Sequence, residues 1–176
     1  ADVGQIGPEI AMTNPLYAAL FAPLATRDGV LMQLADGGTI TARGFHQTIG
    51  QAANALLAAG VRPGDRVAVL SKNCAEMLEL MFACNQVGAV MAGLNWRLSA
   101  CEIAAIVADA APKVLVVAQE EEPLLAELTT EVAAGMRIVR LGEYYDTWRA
   151  QQVGRAGRLL ADLARILAWA YVPGCW

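Results

Sequence analysis

A chain with a single histidine has few routes to acid–base or nucleophilic chemistry, and His46 is the only one in the 176 residues. A Ser-His-Asp arrangement would have one base to draw on, and no GxSxG turn is present to offer it a serine. His46 falls in the first turn of an amphipathic helix, where it is expected to face solvent. Structural zinc takes about four nitrogen or sulfur ligands at suitable spacing. Cys74, Cys84, Cys101 and Cys175 form no CxxC pair. No metal site is therefore expected, and each thiol reads as a small, reduced core hydrophobe. No GxGxxG follows a strand and no GxxxxGK[ST] occurs, which disfavours a dinucleotide fold of that type and a Walker phosphate loop. Glu120, Glu121 and Glu122 read as a solvated helix start facing the positive end of the macrodipole. Asp65 and Arg66 read as turn and strand-edge residues. Met77, Met81, Cys84 and Met91 read as core packing rather than a cofactor box.

Composition narrows the classes further. The formal net charge is −4 with only 13 Lys+Arg, so no basic stripe exists to neutralise nucleic-acid phosphates. Hydrophobic residues make up 56% and charged residues 17%, far from a disordered composition and suited to a sheet buried on both faces. Residues 77–94 are interrupted by Glu79, Asn85 and Gln86, and residues 159–176 by Asp162 and Arg165, so no membrane span is expected. Residues 1–13 carry Asp2 and Glu9 and lack a basic region followed by an apolar block, so no secretory leader is expected there. The expectation is a soluble, cytoplasmic protein.

The elements that would position any site follow from periodicity. Residues 14–25 form a short apolar segment with Pro15 at a helix start. Residues 30–34 and 39–41 flank Asp36-Gly37-Gly38, a hairpin signal. Phe45, Ile49, Ala52, Ala53, Leu56 and Leu57 share a helix face, ended by Gly60 as a left-handed residue. Arg62-Pro63-Gly64-Asp65 makes a β-turn, and residues 67–70 an interior parallel strand. Asn73 is the expected cap of the next helix, Leu78, Met81 and Phe82 its apolar face, and Gly88 its end. Residues 89–94 are the next strand. Ser99 and Glu102 make a capping box. Ile103, Ile106, Val107 and Ala110 follow at helical spacing until Pro112 forbids continuation. Residues 114–117 are a third strand. Pro123 suits the start of a helix whose face is Leu124, Leu125, Leu128 and Val132, ended by Gly135. Residues 138–141 are a fourth strand. This alternation predicts an α/β fold, a mainly parallel βαβ sheet flanked by helices, preceded by a β-hairpin.

Three blocks carry a resemblance. Residues 60–70, GVRPGDRVAVL, are similar to the "GVxxGDRVA" turn-and-strand of AMP-forming acyl-CoA ligases. Residues 94–99, LNWRLS, with Glu102 beyond, resemble the "LNxRLxxxE" block, and Asp109 with residues 112–116, PKVLV, resembles the "D…PKxLxx" segment. Their order across residues 60–117 identifies a likeness to adenylate-forming enzymes that extends over about residues 14–148. The resemblance implies a two-step ligase: a carboxylic acid and ATP, with magnesium, give an acyl-adenylate and pyrophosphate, and coenzyme A then displaces AMP. It further implies that Arg97, with Trp96 beside it, lies near the phosphates of coenzyme A, a role suited to the donor fork of guanidinium. The residues alone leave Arg97 open as a surface arginine before a helix, and Trp96 as a cover for the sheet edge.

The departures are as informative. The family's Ser/Thr/Gly-rich phosphate loop ends in a lysine, and its small C-terminal domain carries a catalytic lysine. The only lysines here are Lys72 and Lys113, which do not match either position. No catalytic residue is therefore assigned, and the chain is expected to be inactive alone, with ATP, magnesium and coenzyme A belonging to a longer parent. Residues 1–148 are read as the ligase-type N-terminal α/β subdomain. Residues 149–176 are read as a linker and an amphipathic tail with Leu159, Leu160, Leu163, Ile166, Leu167 and Ala170 on one face. That tail is either native sequence or the product of a frameshift, the second being favoured, and its apolar face predicts self-association. The alternative is a non-catalytic α/β interaction module, or one half of a split enzyme.

Overall fold

The computed structural model describes residues 22–127 and 135–151. A 3-10 turn, Ala22–Thr26, leads into strands β1 (Val30–Gln33) and β2 (Thr39–Thr41), paired antiparallel. The hairpin closes at Gly37, whose φ of +87° is the conformation that favours glycine, and Asp36 Oδ1 accepts from Gly38 N–H at 2.8 Å.

Helix α1 (Ala42–Ala58) starts where the Thr41 side chain accepts from Gly44 N–H, and it buries Phe45, Ile49, Ala52, Ala53, Leu56 and Leu57 as the periodicity predicted. Its end is a Schellman closure: Gly60 N–H donates to Leu57 O and Val61 N–H to Leu56 O, both at 3.0 Å, with Gly60 at φ +87°. The Arg62–Asp65 turn follows, closed by Asp65 N–H on Arg62 O at 3.0 Å.

Four strands then form one parallel sheet: β3 (Arg66–Leu70), β4 (Val90–Leu94), β5 (Val114–Val117) and β6 (Arg137–Arg140). Their spatial order is β4-β3-β5-β6, with Leu70 opposite both Leu94 and Val117. Helices α2 (Ala75–Val87), α3 (Ala100–Ala110), α4 (Glu122–Glu127) and α5 (Glu143–Ala150) complete the units. Strand alternation divides the core. Val67, Val69, Val114, Val116 and Val139 face α1, α2 and α5, whereas Ala68, Leu70, Leu94, Leu115 and Val117 face α3 and α4. The chain is thus doubly wound, with order reversing between β3 and β5.

Several expectations are corrected. The cap of α2 is Cys74, in extended conformation and without a side-chain cap bond, not Asn73. The expected face of α2 holds only at Phe82, which is half-buried and packs edge-on against Phe45 with ring centroids 5.9 Å apart; Leu78 and Met81 are exposed, and the buried residues are Glu79, Leu80, Ala83, Cys84, Gln86 and Val87. This helix is apolar nearly all round, so periodicity could not choose a face, and the carboxylate of Glu79 is turned inward by partners distant in sequence: Tyr145 and Arg149. Ile106 is exposed while Ile103 and Val107 are buried. Glu121 is buried rather than solvated, and Glu122 pairs with Arg140 at 2.9 Å. Leu128, Val132, the tail after residue 151, and most of residues 14–25 lie outside the described residues.

Candidate functional site

The loops that leave β3 and β4 are brought together by register. Leu70 and Leu94 stand opposite each other at the ends of two neighbouring parallel strands, so the two chains emerge side by side. Ligands of open α/β sheets gather outside such carboxyl ends. After β4 the chain turns at once: Asn95 Oδ1 accepts from Arg97 N–H, and Asn95 O accepts from Leu98 N–H, both at 3.1 Å. The expected capping box then fixes the next residues. Ser99 N–H donates to Glu102 Oε2 at 2.9 Å and Ser99 Oγ accepts from Glu102 N–H at 3.4 Å. The Ser99 hydroxyl, followed by the Ser99 backbone N–H, holds the Glu102 carboxyl below its usual range. Asn95 through Glu102 is consequently a rigid mount for Trp96 and Arg97.

Trp96 is half-buried and packs on the Leu70, Leu94 and Ile103 side of the core. Arg97 lies with its Cζ 4.4 Å from the Trp96 ring centroid, and Lys72, from the loop after β3, with its Nζ 4.8 Å from the same centroid. Both cations are exposed. The ion pairs among the described residues are Arg43–Asp28, Arg140–Glu122, Arg149–Glu79 and Arg149–Asp146, so neither Lys72 nor Arg97 has an acidic partner there. The structure therefore brings together the two residues singled out in the sequence and adds Lys72. The signal for Lys72 was the strand register: it stands two residues past Leu70 as Trp96 stands two past Leu94.

A concavity of about 870 Å³ opens between the hairpin and the start of α2 and is lined by Met32, Leu34, Cys74, Met77, Met81 and Met91 among others. Three methionines expected inside the core thus border a cleft, though Met77 and Met91 also touch the core from its edge. Burial pushes the Cys74 thiol up, against the opposing hydrogen bond with Ser71 at 3.6 Å, and a raised thiol is a poor nucleophile. Cys84 is a core thiol, pushed up to about 12 by burial. Cys101 is exposed, contrary to the reading of every cysteine as a buried hydrophobe. His46 is half-buried on α1 rather than facing solvent, with its pKa lowered by burial. Among the described residues no three His, Cys, Asp or Glu side chains are grouped to hold a metal ion. No helix there is long and apolar enough to cross a membrane.

The sequence profile of the AMP-binding enzyme family matches residues 21–159. The chain belongs to that family. Among curated relatives, the fatty acid–[acyl-carrier-protein] ligase ScoC of Streptomyces coeruleorubidus is 36% identical over 120 residues, 68% of this chain and 23% of the relative. A feruloyl-CoA synthase of Amycolatopsis sp. is 40% identical over 128 residues, 72% of this chain and 24% of the relative. ATP-bound MatB from Rhodopseudomonas palustris superimposes with a TM-score of 0.69 at 27% identity, covering 78% of this chain and 28% of MatB. The anthranilate CoA ligase AuaEII, in complex with anthranoyl-AMP, gives 0.67 at 26% identity, covering 87% of this chain and 28% of AuaEII. This AMP-binding family chain therefore spans about a quarter of the length of the relatives it matches, and its parallel sheet with flanking helices and leading hairpin is the fold those structures share.

Proposed function

We propose that the chain is the opening part of an enzyme that joins a carboxylic acid to a thiol through an acyl-adenylate. In the first step a carboxylate oxygen attacks the α-phosphorus of ATP and pyrophosphate leaves. In the second the thiol sulfur of coenzyme A attacks the acyl carbon and AMP leaves, the thiol proton passing to base or solvent. The names of the relatives support this reading, since each printed activity couples an acid to a thiol carrier.

The observation that carries a role for these residues is the exposed guanidinium of Arg97, pinned on Trp96 and lacking an acidic partner among the described residues. We assign Arg97 and Trp96 to the phosphate groups of coenzyme A. ATP and magnesium are a different matter. No three His, Cys, Asp or Glu side chains are grouped among the described residues, and Lys72 and Lys113 are the only lysines in the chain. No adenylation step is assigned to this chain, and the 176 residues alone are proposed to be inactive.

Pyrophosphate exchange tests this. The purified chain, offered ATP with fatty, aromatic and small dicarboxylic acids, is expected to incorporate no labelled pyrophosphate into ATP. Robust exchange with any acid would overturn the inactivity.

A second reading, assembly with another chain or another copy, is favoured by the exposed apolar residues Val30, Leu31, Leu34, Leu78 and Met81 on the hairpin and α2. Light scattering after size exclusion should show dimers or larger species that dissociate on dilution. A strict monomer at high concentration speaks against it.

A further inference from the structure

We propose that residues 158–170 of this chain lie along the concavity between the hairpin and α2, with their apolar side against its methionines and their arginines against its acidic rim. The proposal is independent of the ligase reading, and it gives the apolar face of the second reading an occupant from the same chain.

The concavity suits an apolar and adaptable partner. Met32 comes from β1, Met77 and Met81 from successive turns of α2, and Met91 from β4, so three elements line one space of about 870 Å³ with thioether side chains. Methionine is unbranched and repacks readily around a partner, as in grooves that accept amphipathic helices. Leu34 and Met81 are exposed there.

The polar part of the lining selects the charge of that partner. Asp36 and Glu76 stand among the lining residues, and no lysine, arginine or histidine does. Neither acid has an ion-pair partner among the described residues. An acidic segment is therefore disfavoured, and a basic amphipathic one fits. The chain contains such a segment. Leu159, Leu163, Ile166 and Ala170 recur at helical spacing with Leu160 and Leu167 beside them, and Arg158, Asp162 and Arg165 fall clear of that stripe. Residues 152–176 carry Arg155, Arg158 and Arg165 against one acid, Asp162, in a protein whose formal net charge is −4.

Reach decides between this chain and a second copy. The described residues run to Gln151, and Arg149 is held on Glu79 of α2. Met77 and Met81 lie two positions to either side of Glu79. The way round a helix about 10–12 Å across is under about 20 Å. Residues 152–158 extend to roughly 24 Å, which is enough. A tether that short holds the stripe at an effective concentration on the order of millimolar, above that of a second copy in dilute solution.

The test labels the full 176-residue chain with iodoacetamide and reads each cysteine by peptide mass spectrometry. Cys74 lines the concavity. Cys101, exposed on α3 across the sheet, is the internal reference, and buried Cys84 reports an intact core. Burial raises the Cys74 thiol in every variant, so rates are compared at one pH. Leu163→Asp combined with Ile166→Asp is expected to speed Cys74 labelling roughly tenfold, as when about 90% of chains are docked, with Cys101 unchanged and Cys84 unlabelled. Arg158→Glu combined with Arg165→Glu is expected to speed it roughly threefold, and less at high salt. The protection should not depend on protein concentration. An unchanged Cys74 rate in both variants overturns the proposal. So does protection that appears only as concentration rises, which would put a second copy in the groove.

Discussion

The phenol of Tyr145 donates to Glu79 Oε1 at 2.5 Å, joining α5 to the inward face of α2. Arg149 donates to the other carboxylate oxygen of Glu79 and also pairs with Asp146 at 2.8 Å. Removing a carboxylate from water is costly unless its lone pairs are matched, and here each oxygen has a donor. The network gives α5, a short helix, a polar anchor in addition to the packing of Tyr145 and Trp148.

Breaking that anchor from the acidic side leaves a buried hydroxyl and a largely buried guanidinium without their acceptor. Glu79→Leu should therefore destabilise the fold by about 3–5 kcal/mol, whereas Tyr145→Phe, which removes one donor and no volume, should cost roughly 1–2 kcal/mol. Urea unfolding followed by circular dichroism checks the order. Equal, small effects would show that the network contributes nothing to stability.

Alkaline pH should weaken the same region. Burial, then the charge of Glu79, pushes the Tyr145 phenol well above its ordinary 10.0, and burial pushes Cys84 from 9.0 up to about 12. In the unfolded chain both groups lose protons first, so above these ordinary values the unfolded state binds fewer protons than the native one. Stability is intact below pH 9.0 and falls as the pH rises toward 12, by up to about 1.4 kcal/mol per pH unit for each group. Tyr145→Phe combined with Cys84→Ala should flatten the decline measured by denaturant titration at pH 8 to 11. An unchanged slope would remove these two groups as its cause.

The parts legible in the sequence are those set by local chemistry. The Asp36-Gly37-Gly38 hairpin, the Gly60 and Gly88 helix ends, the Ser99–Glu102 box and the buried strand at residues 114–117 all depend on neighbours within a few positions, and all are present. The face of α2 was legible only at Phe82, because Leu78 and Met81 are as apolar as Leu80 and Ala83, and the deciding partner of Glu79 lies 66 residues away. Arg97 and Trp96 stood out through a family pattern. Lys72 could be joined to them only once strand order and register were known.

The corrected face has a direct test. Leu80 is fully buried, and Leu78, two positions earlier, is exposed. Leu80→Ala should cost about 2–5 kcal/mol through lost contacts and a cavity, while Leu78→Ala should stay within roughly 0.5 kcal/mol. Comparable losses at both positions would mean that something covers the outer face of α2. That result would favour the assembly reading.

Glycine ends two helices here with unequal freedom. Gly60 and Gly88 have φ of +87° and +75°, but a Cβ at Gly60 meets nothing within 4 Å, while one at Gly88 comes to 3.2 Å from Pro63 Cβ. Gly60→Ala should cost about 1–2 kcal/mol for the left-handed backbone alone. Gly88→Ala should cost more, because the Arg62–Asp65 turn must also give way, and that turn is tied to Gly88 O by Gly64 N–H at 2.8 Å. Thermal melts of the two variants should differ in that direction.

Ala111 is the one described non-glycine residue with a positive φ, at 42°. Pro112 explains why the helix cannot simply continue, since a residue before proline is driven out of the right-handed helical region. Arg66 explains why the strained form persists: its Nε donates to Ala110 O at 2.6 Å and its Nη2 to Ala111 O at 3.3 Å, tying the end of α3 to the start of β3. Glycine would relieve the steric cost of the left-handed backbone but would lose more freedom on folding. Ala111→Gly should therefore stabilise by a net of roughly 0.5–1 kcal/mol. Arg66→Met should reduce that gain, because without the guanidinium the native chain no longer fixes Ala111 in the conformation that glycine favours. A double-mutant cycle on unfolding free energies measures the coupling, and strict additivity of the two changes would show that Arg66 does not hold the turn.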